Sequence, residues 1–161
     1  MGSLIEVYLD RADNELMAAE SLKRLSENER DKEEFNLPEE VSFYSSVISH
    51  AYYAIFYAAK AILLSKSINP KAPEIHKKTF EEFDKNFVQT KELDVSLLKI
   101  YRKMMVRAEE LLEIFKDEKW KRGHFTYQTI PQANKEPADD SLKNAKFFVS
   151  NIMKVIKFQT I

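Results

Sequence analysis

Apolar residues recur at three- and four-residue steps along most of the chain, the spacing that lines one face of an α-helix. Ile5, Tyr8, Ala12, Leu16, Ala19 and Leu22 form the first such stripe and predict a helix from about Leu4 to Leu25. A charged stretch from Glu27 to Glu40 follows. Within it, Pro38 ahead of two glutamates has the form of a proline in a first helical turn with acids favouring the dipole, so a second helix is expected to start there. That helix carries Val41, Tyr44, Ile48, Ala51, Ile55, Ala58 and Ile62 in alternating steps of three and four, beside a second stripe of Tyr52, Phe56, Ala59 and Leu63. A helix apolar on more than one side belongs at the centre of a bundle or at a subunit contact. Pro70 and Pro73 break it. A shorter helix from about Ile75 is expected to bury Phe80, Phe83 and Phe87, and a longer one from about Leu93 to Phe115 to bury Leu97, Ile100, Met104, Ala108 and Leu111. After a loop from about Trp120 to Glu136, Pro137 opens a last helix with a stripe of Leu142, Ala145, Val149, Ile152 and Ile156. The pattern predicts an all-α, up-and-down bundle of four to five helices, forming one domain over residues 1–161.

Composition narrows this picture. Two glycines and five prolines in 161 residues leave little material for hairpin turns, which favours helices over a sheet. A formal net charge of -1 rules out a globally basic nucleic-acid coat, so any such contact must come from a local patch. With no cysteine, disulfides, thiolate nucleophiles and Cys-ligated zinc are excluded, and the cytoplasm is the expected location. The N-terminus lacks the basic and apolar regions of a signal peptide and has Glu6 where a myristoylation signal has Ser or Thr, so it reads as the start of the fold. The most apolar window, Ala51 to Leu64, is interrupted by Lys60 and falls short of the about 20 apolar residues of a membrane span, which predicts a core helix.

Gly2 and Gly123 are the only glycines, so neither a Walker A loop nor a dinucleotide fingerprint can be written on this chain. The three histidines, His50, His76 and His124, have no Glu-x-x-His or His-Glu-x-x-His context, and no metal or cofactor is expected.

The most distinctive segment is Ser49-His50-Ala51-Tyr52-Tyr53-Ala54-Ile55-Phe56-Tyr57-Ala58-Ala59-Lys60-Ala61-Ile62-Leu63-Leu64. It resembles the central-helix pattern of HEPN proteins: small residues, a Tyr-Tyr-Ala, an aromatic three residues after the second Tyr, and an Ala-x-Ala-Leu-Leu-like end. Ile75 to Thr79 with Phe80 to Val88 is similar to the shorter helix that follows in that family, and Arg122 to Tyr127 is similar to its Arg-x-x-x-x-Tyr turn. The resemblance covers essentially the whole chain. It implies a bundle that commonly dimerises and is often encoded beside a minimal nucleotidyltransferase as a toxin and antitoxin pair. Active members are metal-independent ribonucleases with an Arg, four to six residues, and a His. Here the positions five to seven before each histidine are Phe43 to Ser45, Asn69 to Lys71 and Asp117 to Lys119, none of them arginine.

Several residues remain as candidates. Arg122 and His124 are the candidate catalytic pair, since metal-free RNA cleavage needs a group of near-neutral pKa for the 2′-hydroxyl proton and a cation for the phosphorane. The alternative is a solvent-facing loop. In some modules of the family a tyrosine near the catalytic His is adenylylated; Tyr127 is a candidate nucleotide or RNA contact, or else a buried residue closing the loop. Lys99, Arg102, Lys103 and Arg107 form a basic stripe that would meet phosphate, or a solvated face paired with Glu109, Glu110, Glu113, Asp117 and Glu118. His50 is expected as a hydrogen-bonded core or interface residue, and Lys60 as a snorkelling or acid-paired one. Tyr52, Tyr53, Phe56 and Tyr57 would stack on a nucleobase or pack as core. Ala51, Ala54, Ala58 and Ala61 suit either a dimer or intramolecular packing.

Three functions are compatible with these residues. The first is an interaction subunit that works with a minimal nucleotidyltransferase through protein and nucleotide or RNA binding. The second is an active ribonuclease toxin, and the third a bundle that binds a nucleotide against the aromatic cluster and Lys60. A homodimer is expected.

Overall fold

The computed structural model describes residues 3–116 and 134–159, and the side chains of 113–116 are not among those described. Helix α1 (Leu4–Glu27) begins at a capping box: the Ser3 hydroxyl accepts from the Glu6 N–H at 3.2 Å, and the Ser3 N–H donates to Glu6 Oε2 at 2.6 Å. A short α2 (Glu29–Glu34), which the periodicity does not predict, follows on the cap of Asn28, whose side chain accepts from the Asp31 N–H at 3.0 Å.

The central helix α3 (Tyr44–Leu64) starts later than the expected position at Pro38. Tertiary contacts override the proline signal. The Phe43 N–H donates to the Ser26 hydroxyl of α1 at 2.7 Å, and the buried Lys32 ammonium of α2 holds the Glu39 carbonyl at 2.6 Å. Backbone groups engaged in this way cannot enter a helical ladder, so Pro38 to Phe43 runs as a connection and Val41 is half-buried outside the helix.

Helix α4 (Ile75–Phe83) leads into a π-helical turn at Asp84–Val88, then α5 (Val95–Lys116) and α6 (Lys135–Gln159). The last helix therefore begins two residues before Pro137, which lies in its first turn, where its missing N–H costs no ladder bond. Among the described residues the structure is all-helical, with five substantial helices and the short α2.

The position of α3 follows from its two apolar stripes. It packs against α1, α4, α5 and α6. Ala51, Ala54, Ala58 and Ala61 have no exposed surface, and α1 brings its own buried alanines, Ala12 and Ala19, so small residues on both helices let the backbones approach closely. The alanine stripe is spent inside the chain. By length and composition α3 is the one described helix that would reach across a membrane, and most of its apolar window is buried inside the bundle. Polar contacts lock its flank to α1: His50 Nδ1 meets Glu15 at 2.5 Å, and Arg11 donates to the Tyr57 hydroxyl at 3.2 Å. Helix α6 runs antiparallel to α1, with ion pairs from Lys135 to Glu27 (3.3 Å), Lys23 to Asp139 (3.4 Å) and Lys146 to Glu20. Its predicted stripe of Leu142, Ala145, Val149, Ile152 and Ile156 is buried.

Four aromatic side chains from three helices close the core. Phe83 ends α4 and Phe87 lies in the π-helical turn that continues it, Tyr101 comes from α5 and Phe148 from α6, and all are fully buried. Phe148 lies 5.4 Å from Phe83 and 5.7 Å from Tyr101, edge-on to the latter.

Candidate functional site

The structure divides the basic stripe of α5. Arg107 turns inward and its Nη1 donates to the Pro137 carbonyl (3.1 Å), Asp140 Oδ2 (3.1 Å) and the fully buried Ser141 hydroxyl (2.7 Å), all in the first turns of α6. Lys103 pairs with the same carboxylate at 2.6 Å. Burial pushes Asp140 up, but the hydrogen bonds and charges of Lys103 and Arg107 outweigh it and hold the carboxyl below its ordinary value. Asp140 of α6 thus supplies an acid to the stripe from another helix, and of the acidic run following Arg107 that the sequence pointed to, Asp117, Glu118 and the Glu113 side chain lie outside the described residues. Arg102 and Lys99 stay exposed, the Arg102 guanidinium lying 5.5 Å from the Phe80 ring centroid. Together with Val106 and Glu110, these cations line an open depression of about 420 Å³.

The aromatic cluster divides as well. Tyr52 and Phe56 are core, whereas Tyr53 is exposed and Tyr57 half-buried, stacked on Tyr8 at 6.1 Å. Lys60 neither snorkels nor pairs with an acid. It is buried, donates to the Pro70 carbonyl at 3.0 Å and lies 5.2 Å from the Tyr8 ring centroid. A lysine at a helix position facing the Ser65–Glu74 connection satisfies a carbonyl there, so its charge is not turned toward the exposed face of the aromatic cluster.

Between α3, the start of α4 and the second half of α5 lies a groove of about 270 Å³, lined by Ser49, Tyr52, Tyr53, His76, Met105, Ala108, Glu109 and Leu112. His76 follows Glu74, a non-glycine residue in the left-handed region at φ 54°, from which α4 starts without a side-chain cap. The imidazole sits 4.3 Å from the Phe56 ring centroid, and its Nδ1 shares a 2.8 Å hydrogen bond with the Tyr52 hydroxyl. Burial lowers the His76 pKa, so the ring is neutral at pH 7. Burial, with the charges of Tyr53 and Glu109 adding to it, raises that of Tyr52, which stays a phenol. The groove therefore offers a neutral imidazole and two tyrosine rings beside one carboxylate.

The neutral ring has a consequence for stability. Because the folded pKa is depressed, His76 is uncharged in both states above neutrality and contributes no pH dependence there. As pH falls below about 6.5 the unfolded chain takes up the proton first, so stability drops until the pH passes through the folded value. The melting temperature of the wild type is expected to fall more steeply between pH 7 and 5 than that of a His76→Gln variant. Parallel curves would show that the ring is not held neutral.

Arg122, His124 and Tyr127 lie outside the described residues, so the structure places only the helix ends that flank them, Lys116 and Lys135. Among the described residues no group of three His, Asp or Glu side chains converges as a metal site. His76 is the site residue that sequence reasoning passed over. Its signal was present, since His76, Phe80, Phe83 and Phe87 follow steps of four, three and four, which puts the histidine in register with the half-buried Phe80 and the buried Phe83 and Phe87.

Comparison with known proteins agrees with this architecture. Two relatives come from Methanocaldococcus jannaschii, both named as candidate toxins. One is 32% identical over 114 residues, covering 71% of this chain and 66% of the relative, just under two thirds of its length. The other is 30% identical over 118 residues, covering 73% of this chain and 75% of the relative. No solved structure matches at the same stringency. The HEPN domain family model matches residues 5–155, which runs from the first turn of α1 to the last turns of α6, and the chain belongs to the HEPN domain family.

Proposed function

We propose that this chain is the HEPN-type subunit of a two-gene, toxin–antitoxin-like module with a minimal nucleotidyltransferase. In this reading it works in the cytoplasm as a homodimer, through protein and nucleotide or RNA binding. The toxin side of the reading rests on the names of the two archaeal relatives, carried over to this chain by likeness.

The observation that carries the binding-subunit form is the engagement of Arg107 and Lys103 by Asp140. Two of the four cations on the candidate phosphate stripe already hold α5 to α6, which leaves Lys99 and Arg102 as the exposed pair for a phosphate contact. Two exposed cations support a weak, salt-sensitive contact rather than an extended RNA track. No histidine in the chain has the family's arginine five to seven positions before it, which weighs against the nuclease form.

The test is cleavage of labelled structured RNA, without added metal, by the wild type and by an Arg122→Ala, His124→Ala double variant. Neither is expected to cut, and the tagged wild type is expected to co-purify with a nucleotidyltransferase encoded beside it. Cleavage by the wild type alone would replace this reading with that of a ribonuclease toxin using an atypically spaced pair. Light scattering is expected to give a dimer mass, and a monomer mass would remove the homodimer.

A further inference from the structure

The groove between α3, α4 and α5 has a chemistry that the toxin-module reading does not use. Its walls are of two kinds. Met105, Ala108 and Leu112 present apolar surface from α5, and Leu112 is 58% exposed. Facing them, Tyr52 and Tyr53 present rings from α3, with centroids 5.7 Å apart and the planes tilted by 59°. Tyr53 itself is 40% exposed, so part of its ring is open to a ligand.

Charge in the groove has one sign. Glu109 is the only ionised group among the lining residues at neutral pH, because His76 is neutral and no lysine or arginine lines the site. The Glu109 carboxylate makes no salt bridge among the described residues, although it lies close enough to Tyr52 to act on its hydroxyl. An anion entering this groove meets a carboxylate and π-faces, both of which repel it. A cation meets the same two features as attractions. The apolar strip of α5 beside them suits an aliphatic stem.

We propose that this groove is a binding site for an organic cation of the alkylguanidinium class, its planar head against the exposed part of the Tyr53 ring and the Glu109 carboxylate, and its stem along Met105, Ala108 and Leu112. A guanidinium fits better than an ammonium because its flat, weakly hydrated head stacks on a ring while its edge donates to a carboxylate. The site does not depend on the toxin-module reading, since none of its residues takes part in that argument.

The experiment is a titration of the full chain followed by NMR, through the Met105 methyl and His76 ring signals. The probes are agmatine, a free alkylguanidinium, and the capped tripeptide acetyl-Gly-Arg-Gly-amide, a protein-borne one, with AMP as the anionic comparison. Saturable shifts of both signals are expected with the guanidinium probes and not with AMP. Glu109→Gln is expected to weaken binding by about fivefold, the upper end for one exposed ion pair. Tyr53→Leu removes a partly exposed ring without opening the core, and is expected to weaken it comparably. Tighter binding of the tripeptide assigns the cation to a partner protein and tighter binding of agmatine assigns it to a free metabolite, and either result sustains the site. The proposal is overturned if neither probe gives a saturable shift, if both variants bind as the wild type does, or if AMP moves the same signals more than the guanidiniums do.

Discussion

Replacing Phe148 by alanine is expected to destabilise the protein by about 3–5 kcal/mol, the range for deleting a buried aromatic side chain. Phe148 has no exposed surface and touches rings from two other elements, Phe83 at the end of α4 and Tyr101 on α5, so its removal empties the point where α4, α5 and α6 meet. Collapse into the space is hindered because each neighbouring ring is held by the others: Phe83 by Phe87 and Tyr101, and Tyr101 by Phe80. Small proteins have total stabilities of about 5–15 kcal/mol, so the variant is expected to sit at the edge of folding at 37 °C. Urea unfolding followed by circular dichroism measures it. The control is Phe158→Ala, also on α6 but 77% exposed, which is expected to stay within about 0.5 kcal/mol of the wild type. Equal effects from both would mean that the aromatic cluster does not hold the bundle together.

Replacing Arg107 by alanine is expected to cost about 2–4 kcal/mol, since it removes a half-buried cation and leaves the buried Ser141 hydroxyl and the Pro137 carbonyl without their donor. Asp140 retains Lys103, which limits the loss. The pH dependence identifies the cause. Asp140 is held below its ordinary pKa in the folded state, so the pair's contribution is present above the unfolded value of about 3.9 and is lost as pH falls through the folded one. The gap between wild type and variant is expected to narrow in acid. A variant with unchanged stability but weakened RNA binding would return Arg107 to the phosphate stripe. Lys99→Ala and Arg102→Ala, both exposed, are expected to change stability little, so any effect they have on RNA binding is read without that complication.

Much of the fold was legible because its signals are local. The capping box at Ser3 and Glu6, the stripe Leu142 to Ile156 and the double apolar face of α3 each lie within one helix, where a 3.6-residue repeat maps directly onto a buried side. The start of α3 was misread for a complementary reason. Pro38 with two glutamates is a local signal, and it lost to hydrogen bonds from Ser26 and Lys32, which are remote in the pattern although near in the chain. Lys60 was misread in the same way: its position among apolar residues is visible, but its partner, the Pro70 carbonyl, depends on how the connection after α3 folds back.

The candidate site was less legible than the fold. Tyr52 stands out in the sequence as an aromatic and His76 as part of a helix start and as a histidine without metal-ligand spacing, and nothing in the sequence joins residues 24 positions apart into one hydrogen bond. Glu109 was counted as a partner for the basic stripe, whereas it lines the groove on the other side of α5. Helical spacing tells which residues share a face. It does not tell which face meets which neighbour.

The sequence by itself determined the helical class, the order of the five substantial helices, their approximate ends apart from the start of α3, and most of the residues they bury; the Ser49 to Leu64 segment carried the resemblance to the HEPN family. The helical features follow from contacts between residues three or four apart, which any helix makes wherever it is placed. Only the tertiary structure decided that Asp140 takes Arg107 across 33 residues, that the alanine stripe is buried inside the bundle, and that His76 lies neutral beside Tyr52. Those outcomes depend on burial and on charges brought together from separate helices, and neither exists until the helices pack.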